Sequence, residues 1–155
     1  MEYVNIENSE YLTELFGMRD ENIRIIEDEL NVRISLRDDK LVVDSEDSEK
    51  ALVAGRVIKR LINLLARNEK IDRSRIRYAV ELAKEGRDEL IEEIMSDVVA
   101  ITYKGAQIRC KTLGQQKYVR AMQKNTVVFG VGPAGTGKTY LAVAQAVSAF
   151  RAKQV

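Results

Sequence analysis

Residues 132–139 carry the residue types and spacing most closely tied to chemistry in this chain. They read Gly-Pro-Ala-Gly-Thr-Gly-Lys-Thr, a full match to the pattern G-x-x-x-x-G-K-[S/T] that cradles the phosphates of nucleoside triphosphates. The glycines let the backbone curl so that successive N–H groups point at phosphate oxygens. We expect Lys138 to act as the catalytic residue by reaching the β- and γ-phosphates, and the Thr139 hydroxyl to hold Mg²⁺.

The same stretch also contains the pattern of a dinucleotide-binding loop. Residues 130–135 read Gly-Val-Gly-Pro-Ala-Gly, which fits G-x-G-x-x-G. That motif expects an acidic residue about 20 positions further on to bind a ribose, and no Asp or Glu follows Asp97. Only the triphosphate motif requires Gly-Lys-Thr, so the sequence favours a nucleoside triphosphate over a dinucleotide.

A strand and a helix must flank such a loop. Residues 126–131 are apolar and β-branched, which predicts a strand, and residues 140–153 predict a helix whose N-terminus faces the phosphates. Phosphoryl transfer also needs an acidic residue that holds Mg²⁺ and a residue that orients water, and in a parallel sheet these follow later strands. We therefore expect the chain to be the N-terminal part of a larger ATPase with a truncated parallel sheet, inactive by itself.

Gln115 is the candidate for recognising the base. It is followed at the third and fourth positions by Tyr118 and Val119, the spacing of an adenine-recognition motif in helicase-like ATPases. A carboxamide has a donor and an acceptor that can pair with the N6 and N7 edge of adenine. The alternatives are an ordinary exposed glutamine, or Gln116 in the same role. The predicted ATP-binding residues are Gln115, Gly132, Pro133, Ala134, Gly135, Thr136, Gly137, Lys138, Thr139 and Tyr140.

Composition excludes several kinds of site. With one cysteine, Cys110, and no histidine, the chain has no material for an internal disulfide or a His-based catalytic triad, and we expect Cys110 to be a buried hydrophobic residue. The absence of a signal peptide and of a long apolar run predicts a cytoplasmic protein without a membrane partner.

Charge is distributed unevenly along the chain. Residues 1–50 hold 6 basic and 15 acidic side chains, whereas residues 51–155 hold 19 and 9. This asymmetry suggests two modules with different electrostatic roles, or an acidic balance supplied by sequence further downstream. Six basic residues after Asp97 are either a nucleic-acid surface or ordinary solvated side chains: Lys104, Arg109, Lys111, Lys117, Arg120 and Lys124.

The coarse element pattern predicts three parts. Residues 1–67 follow the order β-α-α-β-β-α, an α+β module, with strands at 2–6, 32–36 and 41–43, a polar turn at 37–40 and helices at 11–16, 21–30 and about 48–67. Residues 68–97 form a helical connector with helices at 73–84 and 87–95. Residues 98–155 begin an α/β P-loop domain with a hairpin of 98–103 and 107–110 about Lys104 and Gly105.

The order of residues 1–67 resembles a type I KH domain, which binds single-stranded nucleic acid through a G-x-x-G loop between its first two helices. Here the corresponding residues read Gly17-Met18-Arg19-Asp20, followed by Glu21. Because two carboxylates beside a phosphate-binding loop repel nucleic acid, we expect this KH-like module to bind single-stranded RNA poorly and to have a structural or partner-docking role. Nucleic-acid binding is the alternative.

The chain as a whole resembles the N-terminal part of the PhoH-like family, which combines a KH-like module with a P-loop ATPase related to superfamily-one helicases. The resemblance is carried by residues 132–142 (Gly-Pro-Ala-Gly-Thr-Gly-Lys-Thr-Tyr-Leu-Ala) and residues 111–119 (Lys-Thr-Leu-Gly-Gln-Gln-Lys-Tyr-Val). It implies ATP binding and hydrolysis in a process coupled to RNA, and an association with phosphate starvation. The expected partners are ATP with Mg²⁺ and single-stranded RNA, and the sequence leaves open whether the full-length protein is a monomer or an oligomer. The alternative is a non-enzymatic KH-like adaptor, binding nucleic acid or protein, with a passive phosphate loop.

Overall fold

The computed structural model describes residues 1–6, 8–38 and 40–155. The chain is α+β, with two small antiparallel sheets and seven helices among the described residues. It divides into two compact units, Met1–Glu93 and Ile94–Val155.

The first unit contains one three-stranded sheet. Strand β3 (Lys40–Asp44) lies in the middle and pairs antiparallel with β1 (Glu2–Asn5) and β2 (Arg33–Arg37). The elements follow the predicted order β-α-α-β-β-α, with a 3₁₀ turn between the first two α-helices. The predicted turn at 37–40 includes Asp39, which lies outside the described residues. The elements in chain order are β1 (Glu2–Asn5), α1 (Glu10–Phe16), a 3₁₀ turn (Met18–Asp20), α2 (Glu21–Leu30), β2 (Arg33–Arg37), β3 (Lys40–Asp44), α3 (Ser48–Ala66) and α4 (Arg73–Lys84).

Local sequence explains these boundaries. In α2, the side chains of Ile23, Ile26 and Leu30 repeat at helical spacing and are buried. The side chain of Asp47 caps α3 by accepting a 2.9 Å hydrogen bond from the N–H of Glu49. Apolar periodicity and capping therefore act together to place the helices of the first unit.

The helix predicted at 87–95 is shorter than expected. Helix α5 spans Leu90–Ser96, because residues 87–89 form a turn in which the N–H of Arg87 donates to Leu82 at 2.8 Å and the N–H of Leu90 donates to Arg87 at 3.1 Å. Within this turn, the Asp88 carboxylate accepts a 3.1 Å hydrogen bond from Arg56. The buried side chain of Asp88 is thus held in this turn by its ion pair with Arg56.

An ion-pair network connects α3 to Glu92. Its carboxylate accepts hydrogen bonds from Arg60 at 3.0 Å, Asn63 at 2.9 Å and Arg67 at 2.9 Å. Burial opposes ionisation of Glu92, but hydrogen bonds from Asn63 and Arg60 and the positive charges of Arg67 and Arg60 lower the pKa of Glu92 below its ordinary value. The hydrogen bond to Glu92, strengthened by neighbouring negative charge, raises the pKa of Arg60 despite burial.

The second unit contains a hairpin and two helices. Strands β4 (Val98–Ile101) and β5 (Gln107–Arg109) pair antiparallel, as predicted, and are followed by α6 (Leu113–Lys124) and α7 (Lys138–Arg151). Helix α7 packs against β4 and α6. Their shared core consists of Val99, Ala100, Cys110, Val119, Leu141 and Ala144.

The predicted strand at 126–131 is wrong. These residues have an irregular conformation, and no strand in the described part of the chain pairs with them. Apolar β-branched residues favour a strand only when a neighbouring strand accepts and donates the ladder hydrogen bonds. The parallel sheet predicted for this part of the chain is therefore not present in the described residues, and both sheets are antiparallel.

The helix after the glycine-rich loop begins earlier than predicted. Helix α7 starts at Lys138, two residues before the predicted start at Tyr140. Of the helices in the described ranges, none combines the length and the apolar composition that crossing a lipid bilayer requires.

Candidate functional site

The glycine-rich loop at 132–139 is shaped by two glycines with positive φ. Gly135 has φ +77° and Gly137 has φ +82°, a region that residues with a Cβ atom rarely adopt. Gly137 also caps the N-terminus of α7, and its own backbone leads directly into Lys138 as the first helical residue. Two glycines of the sequence motif, Gly135 and Gly137, are therefore required by the backbone conformation of the loop.

The ammonium group of Lys138 lies inside this loop. It donates to the carbonyl oxygen of Gly132 at 2.8 Å, to that of Pro133 at 2.5 Å and to the hydroxyl of Thr136 at 3.2 Å. The Thr136 hydroxyl in turn donates to Pro133 at 3.0 Å. Because an ammonium has three donors, any phosphate oxygen that binds Lys138 must replace or share one of these contacts.

The start of α7 also presents backbone donors. The first N–H groups of a helix have no acceptor within it, and no side chain caps this helix at Gly137. In the described part of the chain, the N–H groups of Gly135 and Thr136 make no hydrogen bond. Unpaired N–H groups at a helix N-terminus, beside a lysine ammonium, are donors suited to phosphate oxygens.

The structure brings Gln115 to the same loop. Its Nε2 donates to the carbonyl oxygen of Thr136 at 3.2 Å, and its Oε1 accepts from the N–H of Lys111 at 2.7 Å. A Cβ atom placed on Gly137 would lie 3.3 Å from Gln115 Nε2, which is close for a non-bonded contact. One side chain therefore bridges the start of α6 and the glycine-rich loop.

Gln116 lies in a different environment. It is buried, and its Nε2 donates to the carboxylate of Asp97 at 2.7 Å. Arg120 lies 3.5 Å from the same carboxylate. Of the two neighbouring glutamines, only Gln115 has its amide at the glycine-rich loop.

Two further residues shape the site: Thr112, whose capping role was not predicted from the sequence, and Tyr118, which was named there only for its spacing from Gln115. The Thr112 hydroxyl caps α6 by accepting from the N–H of Gln115 at 3.2 Å, and the spacing Thr-x-x-Gln is the sequence signal of such a capping box. The ring of Tyr118 packs against Gly130, where a Cβ atom would lie 3.1–3.2 Å from ring and hydroxyl atoms. Gly130 therefore permits close approach of the chain to Tyr118.

Thr139 and Tyr140 lie exposed in the first turn of α7. Within the described residues, no three acidic, cysteine or histidine side chains gather into a group that could hold a metal ion. Thr139 thus places one hydroxyl oxygen, the predicted ligand of Mg²⁺, at the start of α7.

Cys110 has a structural role in this unit. It is buried as predicted, and burial, together with the negative charge of Asp97, raises the pKa of its thiol to about 11. A thiol with so high a pKa is almost entirely protonated near neutral pH and is a poor nucleophile.

A family model and several curated proteins that are similar in sequence to this chain all indicate one family. The family model described as PhoH-like protein matches residues 107–155. The chain is 38% identical over 146 residues to a PhoH-like protein of Bacillus subtilis (strain 168), covering 94% of this chain and 46% of that protein. It is 41% identical over 142 residues to a PhoH-like protein of Mycobacterium tuberculosis (strain ATCC 25618 / H37Rv), covering 91% of this chain and 40% of that protein.

A more distant relative gives the same description. A PhoH-like protein of Synechocystis sp. (strain ATCC 27184 / PCC 6803 / Kazusa) is 32% identical over 136 residues, covering 88% of this chain and 41% of that protein. The chain spans less than half the length of these curated relatives. No solved structure matches the chain. The chain belongs to the PhoH-like protein family.

Proposed function

We propose that the loop at 132–139 binds ATP with Mg²⁺ and that the full-length protein hydrolyses ATP. The observation that carries this proposal is the position of the Lys138 ammonium, enclosed by a loop with two positive-φ glycines at the N-terminus of α7. In such a loop the backbone N–H groups and the lysine charge together bind and orient the phosphates.

Each residue has a separate part in this proposal. The N–H groups of residues 135–138 bind phosphate oxygens, and Lys138 exchanges its contact with the Gly132 carbonyl for a phosphate oxygen as the nucleotide enters. The Thr139 hydroxyl holds Mg²⁺, which neutralises phosphate charge when bound. Gln115 pairs with the adenine edge through its second Nε2–H donor and the second lone pair of Oε1. The first of each is used in the contacts with Thr136 and Lys111.

An RNA-linked process, associated with phosphate starvation and located in the cytoplasm, is the wider role that the family resemblance implies for the full-length protein. Support for a KH-like module comes from the sheet order β1-β3-β2 and from Gly17, whose φ is +70° at the end of α1. The electrostatics oppose strong binding there. Asp20 is exposed and repels phosphates, whereas the charge of Glu21 is partly neutralised by its ion pair with Arg73.

The second candidate function is a KH-like adaptor with a passive phosphate loop. It is favoured by the three contacts of the Lys138 ammonium with its own loop, because these must be disturbed before a phosphate is bound. The two functions differ in whether the lysine is needed for turnover.

The deciding experiment is Lys138→Ala in the full-length protein, with ATP hydrolysis as the readout. We expect turnover to be abolished while the circular-dichroism spectrum is unchanged, because the lysine supplies the charge for the transferring phosphoryl group. Lys124→Ala, which removes an exposed lysine at the end of α6, is the matched control and should keep full activity. Turnover of the Lys138 variant within about threefold of the unaltered protein would favour the adaptor, because threefold is a difference of only about 0.6 kcal/mol in the activation barrier.

A further inference from the structure

The tip of the β4–β5 hairpin presents an aromatic ring to solvent on a well-bonded turn. Tyr103 is 96% exposed, more than any other large hydrophobic side chain among the described residues. The turn is closed by hydrogen bonds from the N–H of Thr102 to Ala106 at 2.8 Å and from the N–H of Gly105 to Thr102 at 3.0 Å. The Thr102 hydroxyl also accepts from the N–H of Ala106 at 3.0 Å. The exposed ring of Tyr103 is therefore attached to a turn whose backbone conformation is fixed by hydrogen bonds.

Two positive charges accompany this ring. Lys104 is the next residue in the turn and is exposed. From α7, the Nη1 of Arg151 donates to the carbonyl oxygen of Ile101 at 2.9 Å, which holds a guanidinium group at the end of β4. A guanidinium has five N–H donors, so this one contact leaves Arg151 able to bind a further anion.

The charge of the whole second unit favours a polyanion. Residues 94–155 contain nine lysines and arginines against a single acidic residue, Asp97. The Asp97 carboxylate is hydrogen-bonded to Gln116 and lies 3.5 Å from Arg120, at the opposite end of β4 from the tip. Of the six basic residues singled out in the sequence, Lys104 lies at the tip, whereas Arg109 donates to the Ser96 carbonyl. Arg151 is not among those six.

We propose that Tyr103, Lys104 and Arg151 form a binding surface for single-stranded nucleic acid. An unstacked base can lie on an exposed tyrosine ring, and adjacent phosphates can bind the two cations. A duplex hides its base faces, and a polyanion without bases gives the ring no partner. The proposal deepens the RNA-linked part of the proposed function, but it is independent of nucleotide binding by the glycine-rich loop.

The test is fluorescence anisotropy of the 155-residue chain with a labelled 20-nucleotide oligouridylate, without ATP, over a series of salt concentrations. We expect Tyr103→Ala to weaken binding about tenfold and Tyr103→Phe to keep it, because stacking needs the ring and not the hydroxyl. Lys104→Ala and Arg151→Ala should each weaken binding and reduce the salt slope by about one. The matched control is Tyr3→Ala, an exposed tyrosine of the acidic first unit, which should bind as the unaltered chain does.

Several outcomes would overturn the proposal. These are no binding by the unaltered chain at low salt, equal binding by the Tyr103→Ala variant, or a loss with Tyr103→Phe as large as that with Tyr103→Ala. Vesicles of phosphatidylglycerol serve as a second probe, and tighter Tyr103-dependent binding to them would assign the tip to a membrane surface instead. ATP binding, measured separately on the same variants, distinguishes failure of this surface from failure of the glycine-rich loop.

Discussion

The side-chain amide of Gln115 donates to the carbonyl oxygen of Thr136, with 3.2 Å between Nε2 and the oxygen. The two residues are 21 positions apart, and the contact connects the start of α6 to the loop that precedes α7. Gln115 therefore has two separable duties in the proposed ATP site, because it can hold the loop in shape and it can recognise a base. Substitution at this position distinguishes these duties.

We predict that Gln115→Ala in the full-length protein reduces ATP affinity more than GTP affinity. A base-edge hydrogen bond left unpaired costs about 1–3 kcal/mol, which corresponds to a change of about 5- to 150-fold in the ratio of ATP affinity to GTP affinity. Competition binding of the two nucleotides measures this ratio, and Gln123→Ala, an exposed glutamine later in α6, is the control. Equal losses for ATP and GTP would mean that Gln115 only supports the loop through Thr136.

A second prediction concerns the loop between α1 and α2. Residues 1–93, the first compact unit, should bind oligouridylate weakly, and Asp20→Gly should strengthen binding several-fold. The substitution removes a carboxylate that repels phosphates, and Asp20 has φ +61°, a conformation that glycine adopts without strain. NMR titration locates the binding site through the shifted signals.

The control is Asp28→Asn, which removes the charge of an exposed carboxylate on α2. Asparagine is used there because a glycine inside a helix destabilises it. Tight binding by the unaltered unit, with signals shifting at residues 17–20, would contradict this prediction and restore an RNA-binding role for the loop.

A third prediction follows from the lowered pKa of Glu92. A carboxyl group whose pKa is lower in the folded than in the unfolded protein stabilises the fold at pH values above its ordinary pKa, which is 4.5 for Glu92. This stabilisation is lost as the pH falls through the pKa of the folded protein. At pH 7, Glu92→Gln should reduce the free energy of unfolding by about 1–2 kcal/mol. This difference should shrink in strongly acidic solution, where both forms are neutral.

Urea denaturation of the unaltered chain and the variant at several pH values measures this effect. Glu89→Gln, an exposed residue just before α5, should change the free energy of unfolding little at any pH. If Glu92→Gln lowers the free energy of unfolding by as much at low pH as at pH 7, the stabilisation by Glu92 is not electrostatic.

A fourth prediction concerns self-association of the 155-residue chain. Apolar side chains are exposed on one stripe of α7 and along residues 127–131, with Phe150 71% and Phe129 88% exposed. Exposed apolar patches of this kind promote association, and without paired neighbouring strands the loop should bind ATP·Mg weakly at best. Light scattering should show a mass that increases with concentration, and calorimetry should show weak nucleotide binding.

Phe150→Lys tests the source of this association. It should shift the chain toward the monomer, whereas Leu52→Lys, which replaces an exposed leucine of the first unit, should not. A monomeric unaltered chain that binds ATP tightly would contradict the prediction and mean that the second unit is complete as it stands.

Several features of this protein could be read from the sequence because they depend on neighbours along the chain. Helices α2 and α4 begin and end where apolar spacing and capping residues predict, and the β4–β5 hairpin forms about Gly105, whose φ is +79°. The glycine-rich loop likewise depends on local backbone freedom at Gly135 and Gly137. Such features involve hydrogen bonds and sterics over only a few residues.

Other features are decided only by the tertiary structure, because their partners lie far apart in the chain. The stretch 126–131 has the composition of a strand, but a strand requires a second strand for its hydrogen bonds, and none pairs with it in the described residues. The contact of Arg151 with Ile101 spans 50 positions, and the contact of Gln115 with Thr136 spans 21. Residue types thus determine which chemistry is available, and packing determines which donors remain free to perform it.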